Sequence, residues 1–595
     1  MKQKILLCSS IACMMGGLLA TSCVDNDYDL TDIDGTAQVQ VKDLVLPINL
    51  DSISLKNIFD IEGESHIKEI NGEYVLLDSG TYESDVIEIP AISVPAPYIA
   101  PIGPKLISIE IPGAEGSNPQ SLPSVNLPDA ICFNIGEELS EFEYKEDGIS
   151  KYIDSIGRIS ATFDITIDLI VDSIDEYVNS WSMKDLEMRL PKGLTGTTNY
   201  GKYDENSGIV SIDNEVLNES TLRFIMSVES VDLNKAGAVF DPINHSFALK
   251  DKLGINKGKV EVVEADLKPN INYMNLPRQI PFTVKFSMGE LNVTSFAGKV
   301  NYSIDGIDID DIKITGLPEI LSDSLTNISL VNPQIYVCFS NPLGINYGLH
   351  AKTGLTLTAK RPNPADNVEC TIDNGTFELS CNGCQGCQFC LAPSDPGQGN
   401  YWGKFVNAQH IPFTSLSNIL AGKGLPNAIG ISLNNLCIPS QRIKGELPLG
   451  SPLGKVTGCY TIYAPLQFKA GSQIIYSSTE DGWSDEDLEK MTISKLEVSA
   501  VITNDLPLDI EISGQPIDVN GKPIPGVYIE GVRVSSGAVN APLTIRVTGE
   551  IKKLDGITFV ATASATESQM ILCPEDNIIL KNVKAKVSGS YDTEF

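Results

Sequence analysis

The stretch from Ala161 to Val171 sets the fold class. Phe163, Ile165, Ile167 and Leu169 face one way, and Thr162, Asp164, Thr166 and Asp168 face the other. Strict alternation with period two describes a strand with one buried and one wet face. The same pattern returns in Thr221 to Val231, in Lys259 to Val263, and at Phe282, Val284 and Phe286. It recurs at Phe296, Gly298, Val300 and Tyr302, and at Leu543, Ile545 and Val547 between Thr544, Arg546 and Thr548. Helical signals are few and short. Pro318 opens one over 318–324, Thr414 or Ser415 starts one that stops at Gly422, and Ser484-Asp485-Glu486-Asp487 caps a third. Together with 49 glycines and 34 prolines, these strands predict an all-β protein: several tandem β-sandwich domains with few short helices.

Length and punctuation divide the chain. A sequence of 595 residues holds roughly three or four domains. Residues 1–22 and 23–38 form separate leading segments. Residues 39–275 are expected to form one or more N-terminal β domains, 276–465 a middle sandwich with a cysteine-rich insertion at 363–410, and 466–595 a C-terminal sandwich. Prolines at 90, 95, 97, 101, 104, 112, 119, 123 and 128 interrupt the first block. Each proline removes a backbone donor, so 90–128 is expected to run as an extended crossover at a sheet edge or between domains, never as a central strand.

The leading segments give an address. Lys2 and Lys4 precede an apolar run from Ile5 to Ala20. That run falls short of the ~20 residues a spanning helix needs, and suits a secretion signal. It closes with Leu19-Ala20-Thr21-Ser22-Cys23, which resembles the lipobox of bacterial lipoproteins. The resemblance implies cleavage before Cys23, acylation of that residue, and a stable membrane anchor. Val24 to Asp34 then carries five aspartates and no base, a composition that stays solvated and serves as a tether. It is similar to the acidic run that sends Bacteroidetes-type lipoproteins to the outer face of the outer membrane. The implied location is the cell surface, with the periplasmic face as the alternative.

Charge narrows the partners. The formal net charge of −34 repels nucleic acid and anionic lipid, and no basic patch offsets it. The expected partners are the membrane, through the lipid, and a glycan or envelope protein.

An internal repeat runs through the second half. Ile335 to Ile345 can be laid over Val498 to Leu508: an alternating strand, then Asn341 or Asn504, then Leu343 or Leu506, then Ile345 or Leu508. An asparagine at a strand end adopts a left-handed or Asx-turn geometry, and the apolar pair beyond it re-enters a sheet. The pattern resembles the strand, Asn-Pro-Leu, strand opening of late-embryogenesis-abundant-like β-sandwiches, with Asp505 replacing the family's proline in the second copy. The resemblance implies two sandwiches in this half.

Among thirteen cysteines, Cys8 and Cys13 leave with the signal and Cys23 is lipidated, so an even number remains. Cys381, Cys384, Cys387 and Cys390 follow one another at two-residue gaps, with Cys370 upstream. Outside the cytoplasm they are expected to staple a loop with disulfides; a structural metal at Cys381–Cys390 is the alternative. No other cofactor is expected. Tyr401 and Trp402 follow as candidate ligand-binding aromatics, and core anchoring is their other reading. Asp305, Asp308, Asp310 and Asp311 could offer oxygen ligands, but their spacing departs from a calcium loop. His66, His245, His350 and His410 are far apart, and no HExxH, GxSxG or phosphate-binding loop is present. The chain therefore reads as a non-catalytic envelope protein with a binding or structural role, such as glycan capture or adhesion. A carrier of lipid or another hydrophobic ligand is the alternative, and a glycoside hydrolase follows it.

Overall fold

A computed structural model describes residues 36–46, 53–58, 65–108, 130–271, 276–305, 307–315, 317–380, 387–483, 491–567 and 570–594. The chain is 61% strand and 6% helix, and its strands form several separate antiparallel sheets. No described helix exceeds the six residues of Pro342–Tyr347. The expected helices at 318–324 and 415–422 shorten to Glu319–Ser322 and Leu416–Ile419, and the third lies outside the described residues. The alternation at Ala161 is realised in the strand Ile153–Val171: Ile165, Ile167 and Leu169 are fully buried and Phe163 nearly so. Each such side chain contributes about 2 kcal/mol of transfer free energy.

The chain divides into two compact units. The first comprises Met1–Ser54, Ile475–Ser564 and Asn577–Phe595. Its main sheet runs Thr36–Leu46, Asn577–Glu594, Met491–Asn504, Ala538–Thr548. Facing it are the strands Asp509–Ile517, Val532–Val534 and Gly556–Ser564. Leu496, Val498, Ile502, Leu543, Ile545 and Val547 of one layer share a core with Ile557, Phe559 and Val534 of the other. Pairing, not chain order, sets this unit's limits. Thr36–Leu46, expected to open the N-terminal block, pairs antiparallel with the last strand.

The second unit comprises Leu55–Ile474 and Ala565–Asp576. Its largest sheet places Ile153–Val171 between Thr221–Asp232 and Leu291–Ser303, and continues through Ala428–Arg442 and Ala351–Lys360 to Val368–Leu379. The expected division at 275/276 runs through this sheet, because Leu291–Ser303 pairs with Ile153–Val171 on one side and Ala428–Arg442 on the other. The proline-rich segment supplies two short strands, Ile92–Val94 against Leu291–Val293 and Ile102–Ser108 against Gln279–Val284. Residues 109–129 lie outside the described residues. A smaller sheet orders Gln409–Pro412, Cys387–Ala392, Gln334–Ser340, Thr457–Pro465, Glu73–Glu83 and Ile67–Ile70.

The repeated asparagines hold equivalent places in the two units. Asn341 follows Gln334–Ser340, and the next strand, Ala351–Lys360, belongs to another sheet. Its side chain accepts from the Leu343 N–H at 3.1 Å and donates to the carbonyls of Leu349 at 2.8 Å and Leu379 at 2.9 Å. Asn504 ends Met491–Asn504, and Asp509–Ile517 likewise enters a different sheet. It accepts from the Leu506 N–H at 3.2 Å and donates to the carbonyls of Leu508 at 2.9 Å and Ser535 at 3.2 Å. Leu379 and Ser535 stand at the ends of strands that pair with the strand after the asparagine. Both asparagines are fully buried. The repeat needs one correction. Leu349, not Ile345, is the partner of Leu508, because Pro342 starts a short helix that Asn341 caps. That turn leaves Ile345 61% exposed.

Candidate functional site

An open cleft of about 820 Å³ in the second unit is lined by His66, Asp78, Ser79, Tyr460 and residues 308–313 with Thr315. Three distant pieces of chain build it. Along 311–315 the side chains alternate: Ile312 and Ile314 are buried, so Asp311, Lys313 and Thr315 face outward. Thr315 is locked to His66, 249 positions away in sequence. The His66 N–H donates to the Thr315 carbonyl at 3.1 Å, and the Thr315 N–H donates to His66 Nδ1 at 3.0 Å. The other ring nitrogen, Nε2, lies 3.6 Å from Asp78 Oδ1.

Tyr460 reaches the cleft through paired glycines. In the antiparallel pair Glu73–Glu83 and Thr457–Pro465, Tyr460 is opposite Gly80, and Tyr82 is opposite Gly458. A β-carbon at Gly80 would lie 2.5 Å from the Tyr460 hydroxyl oxygen, and one at Gly458 would collide with the Tyr82 ring. Each ring thus lies flat on a strand that has no side chain beneath it. The two hydroxyls then differ. Tyr82 donates to the Cys338 carbonyl at 2.7 Å. The Tyr460 hydroxyl has no hydrogen-bond partner among the described residues, although the residue is only 8% exposed. Its pKa is raised, first by burial and then by the nearby charges of Asp78 and Asp310.

The cleft lining is net anionic, with Asp78, Asp308, Asp310 and Asp311 against Lys313. Asp311 pairs with Lys360. Asp308 and Asp310 have no cation within ion-pair distance among the described residues, and both are exposed. Among the described residues, no group of three or more His, Cys, Asp or Glu side chains converges to hold a metal ion.

Among the described residues, the cysteines expected to act together do not converge. Cys370 is buried on Val368–Leu379, its sulfur 3.3 Å from the Ser415 carbonyl. Cys387 and Cys390 lie on one strand, opposite Phe339 and Tyr336 respectively, so they point to opposite faces. Burial raises the thiol pKa of Cys370 and pushes that of Cys390 up to about 12, which leaves both thiols un-ionised at neutral pH. Cys381, Cys384 and the lipidation candidate Cys23 lie outside the described residues. Among the described residues, a disulfide joins Cys338 to Cys459, directly opposite on neighbouring strands with Cα atoms 5.3 Å apart. Neither residue stood out in the sequence, because Cys338 sits inside an apolar strand and its partner is 121 positions away.

The candidate aromatics pack against the smaller sheet. Tyr401 is 9% exposed, packs edge-on against Tyr336, and donates its hydroxyl to Asp395 at 3.1 Å. Trp402 is half-buried and stacks on Tyr463 with ring centres 4.8 Å apart. Both cover the face of the sheet that carries the disulfide. Sequence reasoning missed His66, Asp78 and Tyr460 as members of one site. No local signal marks them, because Gly80 and Gly458 face Tyr460 and Tyr82 only through strand register.

No protein-family model and no curated protein matches this chain. Among solved structures, it is similar to the crystal structure of a "putative secreted protein" from Parabacteroides distasonis. The match has 15% identity and a TM-score of 0.33, and covers 49% of this chain and 89% of the other.

Proposed function

We propose that this chain is a non-catalytic binding lipoprotein, anchored in the outer membrane through Cys23 and displayed at the cell surface. The observation that carries the reading is the sequence Leu19-Ala20-Thr21-Ser22-Cys23 with its acidic follow-on. The Cys338–Cys459 disulfide supports it, since such bonds persist in oxidising compartments beyond the cytoplasm. The first described strand begins at Thr36. Thirteen residues of tether reach at most about 45 Å, so the first unit is held close to the bilayer. The binding element is the cleft between His66, Asp78 and Tyr460. Its polar lining suits a hydrophilic ligand and speaks against a carrier of hydrophobic molecules. Protease added to intact cells tests the display. The expected result is loss of the full-length protein while a periplasmic marker survives. Protection in intact cells with digestion after outer-membrane rupture would place the anchor on the periplasmic leaflet.

A further inference from the structure

We infer that the cleft binds a linear ligand carrying two or more ammonium groups, a polyamine in chemical class. This rests on the binding reading above and adds the ligand to it. Two independent observations carry it. The Tyr460 hydroxyl is delivered into the cleft by the glycine at position 80, in a side chain more than nine-tenths buried, with no partner of its own among the described residues. The hydroxyl opens to the cleft, where it is free to accept from a ligand N–H group. The second observation is the charge around it. Asp78 and Asp310 act electrostatically on this hydroxyl, Asp308 lines the same space, and of the nearby acids Asp311 is the one neutralised by a lysine.

The arrangement discriminates among ligand classes. Anions are repelled. A single metal ion needs convergent oxygens, and no such convergence exists among the described residues. A sugar ring is usually held by an exposed aromatic face, whereas Tyr460 lies against Gly80 and is only 8% exposed. What remains is a row of acceptors spread along an open cleft, which suits cationic donors spaced along a chain. Charge-assisted hydrogen bonds of this kind are the strong ones.

Spermidine titrated calorimetrically into the full-length protein in detergent, at physiological ionic strength, is the test. The expected result is one saturable site. Asp310→Asn and Asp78→Asn should each weaken it by about tenfold, and Tyr460→Phe by about threefold. Asp213→Asn, an exposed acid on another sheet, should leave it unchanged. Equal weakening by Asp213→Asn would reduce the binding to the general charge of the chain and overturn the proposal. Unchanged affinity in Tyr460→Phe and Asp310→Asn would do the same. Saturable calcium binding that displaces spermidine would assign the cleft to a metal. Failure with spermidine while the protein remains membrane-anchored and protease-accessible removes the ligand class and leaves the lipoprotein reading in place.

Discussion

Asn341→Ala and Asn504→Ala should each lower the stability of their own unit by about 4 kcal/mol. Each asparagine is fully buried and makes three hydrogen bonds, one accepted and two donated. Alanine leaves one N–H and two carbonyls without that partner, and each orphaned group costs about 1–3 kcal/mol. Those groups belong to two separate pieces of chain, the turn after the asparagine and the end of a neighbouring strand, at the point where the backbone passes from one sheet to another. Asp at either position should be at least as damaging. It keeps the acceptor, loses both donors, and places an ionised carboxylate against two carbonyl oxygens. Hydrogen exchange resolves the effects by unit. Asn504→Ala should release protection in Met491–Asn504 and Asp509–Ile517, and Asn341→Ala in Gln334–Ser340 and Ala351–Lys360. Losses below about 1 kcal/mol would mean that the asparagines are incidental to the corners they occupy.

Removing the disulfide as Cys338→Ala with Cys459→Ala should cost the second unit about 4–5 kcal/mol, the chain-entropy value for a loop of roughly this length. The bridge closes a separation of 121 residues between two directly opposed strands. Cysteines beside it do not replace it: Cys390 shares its face, but burial holds that thiol un-ionised. Thermal unfolding of wild type under reducing conditions should approach that of the double variant. Equal melting temperatures for wild type with and without reductant would show that the bridge contributes nothing to stability.

Local features of the sequence foretold local structure. Alternation at Phe163–Leu169 and Leu543–Val547 placed the buried faces correctly because a strand's period depends only on neighbouring residues. Asn341 and Asn504 were legible as strand-end turns for the same reason. What failed was long-range. Thr36–Leu46 pairs with the chain's last strand, and no local pattern encodes a partner more than five hundred residues away. The clustered cysteines drew attention through their spacing, whereas the bridge was formed by two cysteines in register on adjacent strands. Tyr401 and Trp402 were placed in a loop where exposure was plausible, but the sheet beneath them offered an apolar face to cover. Asp308, Asp310 and Asp311 do face solvent. Their companions in the cleft come from Asp78 and Tyr460, whose positions follow from strand pairing alone.

The central claim is that this protein is held to a membrane by lipid on Cys23, and partitioning of Cys23→Ala tests it most directly. Wild-type protein should sediment with membranes and enter the detergent phase on Triton X-114 separation, and Cys23→Ala should be recovered in the aqueous fraction. Retention of the variant in the membrane fraction, resistant to high salt, would contradict the account.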